Sequence, residues 1–498
     1  MSKKIKYIGR NADEQQLIDH ISQDNPQIFA FWNELNDAEK DSLIADLREV
    51  NLEQIRSYYD MAVSHNDSQQ DVTFDTAEYY PAGSQARNRK IRQIGENALS
   101  NGEVAFLTVA GGQASRLDYE YPKGCYPISP INKKSLFQIF AEKIRYYSEY
   151  YRRKLCWYIM TSETNYDDTV HFFEKYNYWS LNRECVIFFK QGMLPAVTSE
   201  GKLILFERNK LFRNPDGHGG ILTALMKTGL LDKIRNDGVK YLSYFQVDNP
   251  LINMADTTFI GYHIQHNMAV TTKVIEKLYS EERLGVIGKK NGINGIIEYS
   301  DLPMEMAQEK LRNGKLKYGM GSTGVHIFST EFLTHITRRL PIHCAKKKVT
   351  AVQKAADGSP IKTEIDAIKF ETFVFDTIGL ANYDKSGFFE TNRADEFYPL
   401  KNKTGLDSIE TCTNGQINAY IRWLIEAGIV DNNEVHKINK AEISPLFAPD
   451  KEIFIKQAAL ERDYINKCVF TNGKINSEIT ISKESFCSLG VSFGEANG

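Results

Sequence analysis

Long apolar runs are missing from this sequence: no stretch approaches the ~20 consecutive residues that a membrane span requires. The opening MSKKIKYIGRNADEQQ turns acidic and polar where a signal peptide would need an apolar run, so a cytoplasmic protein with no membrane partner is expected. Cysteine is sparse and scattered. The seven, Cys125, Cys156, Cys185, Cys344, Cys412, Cys468 and Cys487, are odd in number and never at metal-knuckle spacing, which predicts reduced, mostly buried thiols. An excess of either charge is missing too, since 61 basic against 64 acidic residues leave a formal net charge of -3. Such a chain has no field to draw in a polyphosphate backbone, which argues against nucleic acid as a partner. Neither the G-x-G-x-x-G spacing of dinucleotide folds nor a phosphate loop ending in G-K-[ST] occurs, which argues against an oxidoreductase and a common ATPase.

What is present is enough apolar material for more than one core: 498 residues, 42% hydrophobic and 25% charged, imply two or three domains. The first hundred residues carry apolar positions at helical spacing, as in Leu17, Ile18, Ile21 and then Leu43, Ile44, Leu47, and predict a helical N-terminal segment over 1–100. From Val104 short apolar runs alternate with amphipathic helices: VAFLTV, a helix over Ser135 to Tyr150, CWYIMTS, a helix near Asp167 to Tyr176, VIFFK, a helix over Ile221 to Lys227, then strands over Tyr241 to Val247 and Val270 to Ile275. Apolar strands alternating with helices predict an α/β domain over 101–395, an open sheet with helices on both faces and ligands beyond the carboxyl ends of the strands. A helix over Ile417 to Ala427 and alternating short strands about the Asn472-Gly473 turn predict a small β-rich C-terminal domain within 396–498.

Several residues could carry chemistry. Gly111 and Gly112 follow the strand VAFLTVA, where absent side chains let backbone N–H groups approach a phosphate; an ordinary turn would use the same glycines. Arg116 and Lys123 in the same loop add a bidentate donor and a point charge. Asp248 ends the strand YLSYFQV, where a hard oxygen ligand suits magnesium or, equally, caps a turn. Gln191 has the donor and acceptor to match a uracil edge or is a loop polar, and Gly217, His218 and their neighbours approach a flat base or start the next helix.

The motifs LTVAGGQASRL, YPKG, FFKQGMLPAV, PDGHGG, FQVDNPLINMADTTFIGYHI, RLGVIG, IIEYSD, FETFVFD and EFYPLKN occur in the order seen in the UDP-sugar pyrophosphorylases. The chain most resembles the eukaryotic-type UDP-N-acetylglucosamine pyrophosphorylases, from about Asn88 to Asn402. The resemblance implies a Rossmann-like mixed sheet of the nucleotide-diphospho-sugar transferase type. It implies a nucleotidyltransferase that takes UTP and a sugar 1-phosphate, most readily N-acetylglucosamine 1-phosphate, to a UDP-sugar and pyrophosphate with Mg2+. By motif, Ala110, Gly111 and Gly112 would contact the nucleotide, and Arg116, Lys123 and Lys401 would bind phosphates as the catalytic cations. Gln191, Gly217 and His218 would border the base, with Phe373 and Phe375 along the same cleft. Gly285, Glu298 and Ser322 would meet the sugar, and Asp248 would hold the metal.

The chain departs from the family pattern at five positions. Ala114, Ser115 and Asp118 stand where glycine, threonine and glycine are usual. Asp118 either sets a carboxylate beside a tetra-anion, at about 1 kcal/mol for a ~4 Å separation in water, or turns away and holds Arg116. His218 replaces an asparagine, as in UDP-glucose and broad-specificity enzymes, and Ser322 replaces a sugar-contacting asparagine. These leave open a UTP–glucose-1-phosphate or broad-specificity enzyme, and a non-catalytic UDP-sugar-binding protein. A UDP-sugar-consuming glycosyltransferase is disfavoured because Asp248 is followed by Asn249-Pro250 and not by a D-x-D partner.

Overall fold

The run VAFLTV has no polar face to turn to water, and the chain buries it from both sides. In the computed structural model, which describes residues 7–64, 73–85, 89–336, 340–381 and 385–482, that run is a central strand of a ten-stranded mixed sheet. The strands are β1 (Phe74–Asp75), β2 (Val104–Val109), β3 (Trp157–Thr161), β4 (Val186–Lys190), β5 (Tyr241–Gln246), β6 (Val270–Glu276), β7 (Val286–Lys290), β8 (Ile293–Ile297), β9 (Met320–Ser329) and β10 (Ser386–Glu390). β4, β3, β2 and β5 are parallel neighbours in that order. β9 then runs antiparallel to β5 and β6, β10 is parallel to β6, and the β7–β8 hairpin continues the sheet toward β1. The chain leaves β2 to one side for β3 and returns on its other side as β5. This reversal of strand order opens a crevice at the carboxyl ends of β2 and β5.

All five residues of β3 and the first five of β2 are buried, as the apolar texture requires of strands covered on both faces. The helix Leu136–Tyr150 starts at Ser135, whose side chain accepts from the Gln138 N–H, and packs Phe137 and Phe140 against Trp157, Phe173 and Phe245. The Trp157 indole N–H inside this core donates to Thr108 Oγ1 at 2.7 Å. Helices Arg89–Ser100 and Thr257–Gln265 touch backbone to backbone. A Cβ on Gly95 would fall 1.9 Å from the Thr257 carbonyl oxygen and one on Gly261 1.8 Å from that of Ile91, so neither position tolerates a side chain.

The chain divides into two compact units. The sheet belongs to the unit formed by Thr73–Lys190, Leu225–Thr337 and Thr377–Gly498. Near its end, the helix Ile409–Glu426 begins eight residues before the predicted Ile417, because Ser408 and Thr411 form a capping box there. Asn472 and Gly473, both at positive φ, make the predicted turn of the short hairpin Phe470–Thr471/Lys474–Ile475, and Lys440–Ile443 pairs with Glu478–Ile481. Helices Lys451–Leu460 and Arg462–Val469 complete this region. Cys487 lies outside the described residues.

The other unit comprises Met1–Val72, Gln191–Ala224 and Arg338–Asp376. Its helices Ala12–Ser22, Asp37–Arg48 and Leu52–Ser64 bear the predicted apolar faces. Ile18, Ile21, Leu43, Ile44 and Leu47 pack with Phe29, Trp32 and Phe370 into a core of their own. Phe370 comes from a long antiparallel hairpin, His343–Lys354 with Pro360–Glu371, that Val197–Thr198 extends.

Candidate active site

The glycine-rich loop begins where β2 ends. Ala110 is fully buried, with its N–H on the Met160 carbonyl at 2.8 Å and its own carbonyl held by the Asn165 side-chain amide at 3.0 Å. Past that anchor the chain opens: a Cβ on Gly112 would meet nothing within 4 Å, so the backbone there is clear for an external group. The loop folds back on itself, with the Lys123 N–H donating to the Gly112 carbonyl at 3.2 Å, which sets Lys123 beside the glycines. Arg116 sits exposed on the short 3-10 turn Ser115–Leu117 between them.

Asp248 lies across the crevice. β5 and β2 pair as far as Gln246 and Val109, the Val247 N–H continues to the Val109 carbonyl at 3.2 Å, and Asp248 comes next. Its carbonyl accepts from the Leu400 N–H at 2.8 Å, which brings the segment carrying Lys401 onto the same rim. Lys401 Nζ is paired with Asp407 at 3.0 Å. Both side chains are about one-third exposed, so the pair is open to exchange with a phosphate.

The departures in the loop resolve physically. Asp118 has φ 51° and ψ 45°, the left-handed region that explains a family preference for glycine and that aspartate tolerates better than most residues. Its carboxylate does not hold Arg116 as one sequence alternative supposed; it pairs with Lys403 at 2.7 Å. Ala114, buried with φ −91°, occupies an ordinary conformation and needs no glycine.

Gly285, Glu298 and Ser322 come together on this same rim. β7 and β8 pair Val286 with Ile297, so Gly285 and Glu298 flank the open end of the hairpin, and a Cβ on Gly285 would lie 3.4 Å from Glu298 Oε1. The Ser322 N–H donates to the Gly285 carbonyl at 2.8 Å, and Ser322 Oγ accepts from the Gly324 N–H at 3.3 Å. Gly324 lies against the Gln246 side chain, two residues before Asp248.

Gln191, Gly217 and His218 form their own cluster within the other unit. The Gln191 amide donates to the Gly217 carbonyl at 2.7 Å. Gly217 has φ +83°, and a Cβ there would be 2.3 Å from the Thr372 carbonyl oxygen. His218 stacks on Phe373 at 5.2 Å, lies 5.7 Å from Phe375, and accepts the Val374 N–H on Nδ1 at 3.2 Å. Burial among these groups, and then His343, push its pKa down to about 4. His218 is therefore neutral at physiological pH.

Sequence reasoning missed the support behind the rim. Asn249 donates to the Glu396 carbonyl at 2.7 Å and accepts the Tyr398 N–H at 3.3 Å, tying Asp248 to the Lys401 segment. Lys273, wholly buried, binds Asp256 at 2.8 Å and Glu396 at 2.7 Å beneath it. Asn249 adjoins a predicted ligand and could have been singled out; nothing local marks Lys273.

The family model described as UTP–glucose-1-phosphate uridylyltransferase matches residues 52–411. A probable UDP-N-acetylglucosamine pyrophosphorylase of Dictyostelium discoideum is 32% identical, over 87% of this chain and 93% of that protein. The UDP-N-acetylglucosamine pyrophosphorylase of Saccharomyces cerevisiae is 34% identical, over 84% and 92%. Among solved structures, the Trypanosoma brucei uridine diphosphate N-acetylglucosamine pyrophosphorylase with a bound inhibitor superposes with a TM-score of 0.79 at 27% identity, over 96% of this chain and 99% of that one. The UDP-glucose phosphorylase of the same organism shares the fold, with a TM-score of 0.56 at 15% identity over 76% and 77%. With its glycine loop, Asp248 and lysine segment on one rim, the chain belongs to the UTP–glucose-1-phosphate uridylyltransferase family and is a nucleotidyltransferase that forms a UDP-sugar from UTP and a sugar 1-phosphate.

Proposed function

We propose that the sugar substrate is N-acetylglucosamine 1-phosphate, that the metal is magnesium, and that the enzyme works in the cytoplasm; no helix among the described residues is long and apolar enough to cross a membrane. The observation that carries the catalytic reading is the meeting of the Gly111–Gly112 loop, Asp248 and the Lys401 segment at the carboxyl ends of β2 and β5. The choice of sugar rests on the relatives, of which two N-acetylglucosamine enzymes reach 32% and 34% identity over most of the chain.

The oxygen of the sugar 1-phosphate attacks the α-phosphorus of UTP in line, and pyrophosphate leaves. Repulsion between the two anions is the main obstacle. Lys123 and Arg116 from the loop and Lys401 from the opposite segment offset it and stabilise the leaving group, with no covalent enzyme intermediate. Asp248 fits the cation: a partly exposed, hard oxygen ligand with no cluster of three or more His, Cys, Asp or Glu about it among the described residues. Magnesium takes one or two carboxylates and fills its shell with phosphate oxygens and water. When bound, it would neutralise phosphate charge.

Residues 101–395 carry nucleotide and sugar recognition in this reading, with 1–100 and 396–498 as flanking segments. The Gln191 side chain, held in place by its bond to the Gly217 carbonyl, has a further amide N–H and a carbonyl oxygen suited to a uracil edge, and Gly285, Glu298 and Ser322 offer the sugar a carboxylate and a hydroxyl. The short Ser322 side chain, already engaged with the Gly324 N–H, favours a second reading in which other sugar 1-phosphates are also accepted.

A panel of nucleoside triphosphates crossed with sugar 1-phosphates, assayed for pyrophosphate release with magnesium, tests all of this. UTP with N-acetylglucosamine 1-phosphate is expected to be fastest. A preference for glucose 1-phosphate would move the assignment to the second reading. Tight UDP-sugar binding without pyrophosphate release from any pair would make the chain a binding protein.

A further inference from the structure

At the amino ends of the parallel strands, away from the catalytic rim, two cysteines stand side by side. Cys156 directly precedes β3 and Cys185 directly precedes β4, and the following residues, Trp157 and Val186, are paired in register. Neighbouring strands lie about 4.8 Å apart, inside the Cα separation of about 4.4–6.8 Å that a disulfide spans. The two thiols lie near enough for each to shift the other's titration, and both are free, Cys156 partly exposed and Cys185 buried at the cavity wall. Cys185 also lines an open cavity of about 350 Å³ at this end of the sheet, whose ionisable lining is basic: Arg145, Arg152, Arg153 and Lys154 against Glu149.

From this placement we infer that Cys156 and Cys185 form a redox-active dithiol that closes to a disulfide by exchange with a small, carboxylate-bearing disulfide such as glutathione disulfide. The Cys185 thiolate attacks one sulfur of the oxidant, giving a mixed disulfide and releasing one thiolate, which takes up a proton. The Cys156 sulfur, its proton lost to solvent, attacks Cys185 and expels the second thiol. Two protein thiols are oxidised and one disulfide is reduced to two thiols, with no other reactant.

The division of roles follows from the surroundings. The neighbouring Cys156 thiol, and Lys154 beyond it, bring Cys185 down to about 7 against burial and the charge of Glu184; the neighbouring Cys185, burial and Asp237 push Cys156 up, and Lys233 favours both thiolates. An attacking thiol with a pKa near ambient pH is the most effective one. The basic lining gives the carboxylates of the oxidant their docking charge.

To test this, full-length reduced protein is held in glutathione buffers of rising disulfide-to-thiol ratio, quenched by alkylation and mapped by mass spectrometry, with the exposed Cys344 as reference. A Cys156–Cys185 link is expected to appear. At low salt it should form several-fold faster with glutathione disulfide than with uncharged bis(2-hydroxyethyl) disulfide, and Cys156→Ser should stop at a mixed disulfide on Cys185. Free alkylation of both cysteines at the most oxidising ratio, or a link to another cysteine, would overturn the inference. Equal rates with the two oxidants would overturn the part assigned to the cavity.

Discussion

The rim and the buried network beneath it use the same chemistry, lysine against carboxylate, to different ends. On the rim, Lys401–Asp407 and Lys403–Asp118 are substantially exposed pairs, of the kind worth ~0–1 kcal/mol and readily exchanged for another anion. Beneath it, Lys273 is 1% exposed and shared by Asp256 and Glu396. Its partners outweigh the cost of desolvation and raise its pKa, so it stays charged. Breaking such a pair strands a charge in the interior, at about 3–5 kcal/mol. The rim lysines sit in exposed pairs that exchange readily, whereas Lys273 is buried between two carboxylates and holds the interior together.

Substitutions at the two places should therefore separate turnover from stability. Asp248→Asn and Lys123→Ala are each expected to lose about a hundredfold or more of turnover, as removal of an electrostatic catalyst typically does, with an unchanged thermal midpoint. Full activity in either, in a pyrophosphate-release assay, would remove that residue from the mechanism. Lys273→Met should do the reverse to the fold, costing about 3–5 kcal/mol in urea denaturation; an unchanged midpoint would erase the contrast.

A smaller effect is expected from pH. Burial depresses His263 to about 3 and His218 to about 4, from 6.5. Both fold in the neutral form, so their contribution is complete above pH 6.5 and is lost as pH falls toward those values, because the unfolded chain binds the extra protons. Urea midpoints should decline from pH 7 to pH 5, with a shallower slope in His263→Gln. The smallest change is predicted for Asp118→Gly: relief of a left-handed φ set against loss of the Lys403 pair, a net shift under about 1 kcal/mol, with turnover within severalfold of the parent. A collapse of turnover would place Asp118 in the catalytic machinery.

Much of the sheet was legible because strands covered on both faces must be apolar throughout. VAFLTV, CWYIMTS, VIFFK and YLSYFQV become β2, β3, β4 and β5 within a residue or two at each end. The hairpin His343–Lys354/Pro360–Glu371 was not, since three consecutive lysines, Lys346 to Lys348, interrupt one of its strands and many of its positions are exposed. The helix Ile409–Glu426 was half seen, its first two turns being polar and announced only by Ser408.

For the site, the sequence alone determined which chemical groups are available and in what order: glycines after a strand, then two cations, an aspartate at a strand end, and a late lysine. Backbone hydrogen bonding and hydrophobic patterning act locally, and for that reason they also determined where most of these groups sit on strands and turns. Only the tertiary structure decided how they are partnered. Asp118 finds Lys403, 285 residues away, and not the Arg116 beside it; Lys273 finds Glu396, 123 residues away; and Cys156 meets Cys185 because β3 and β4 pair in one register. Those pairings depend on where distant strands end and on how much water each charge keeps, which no local pattern of residues encodes.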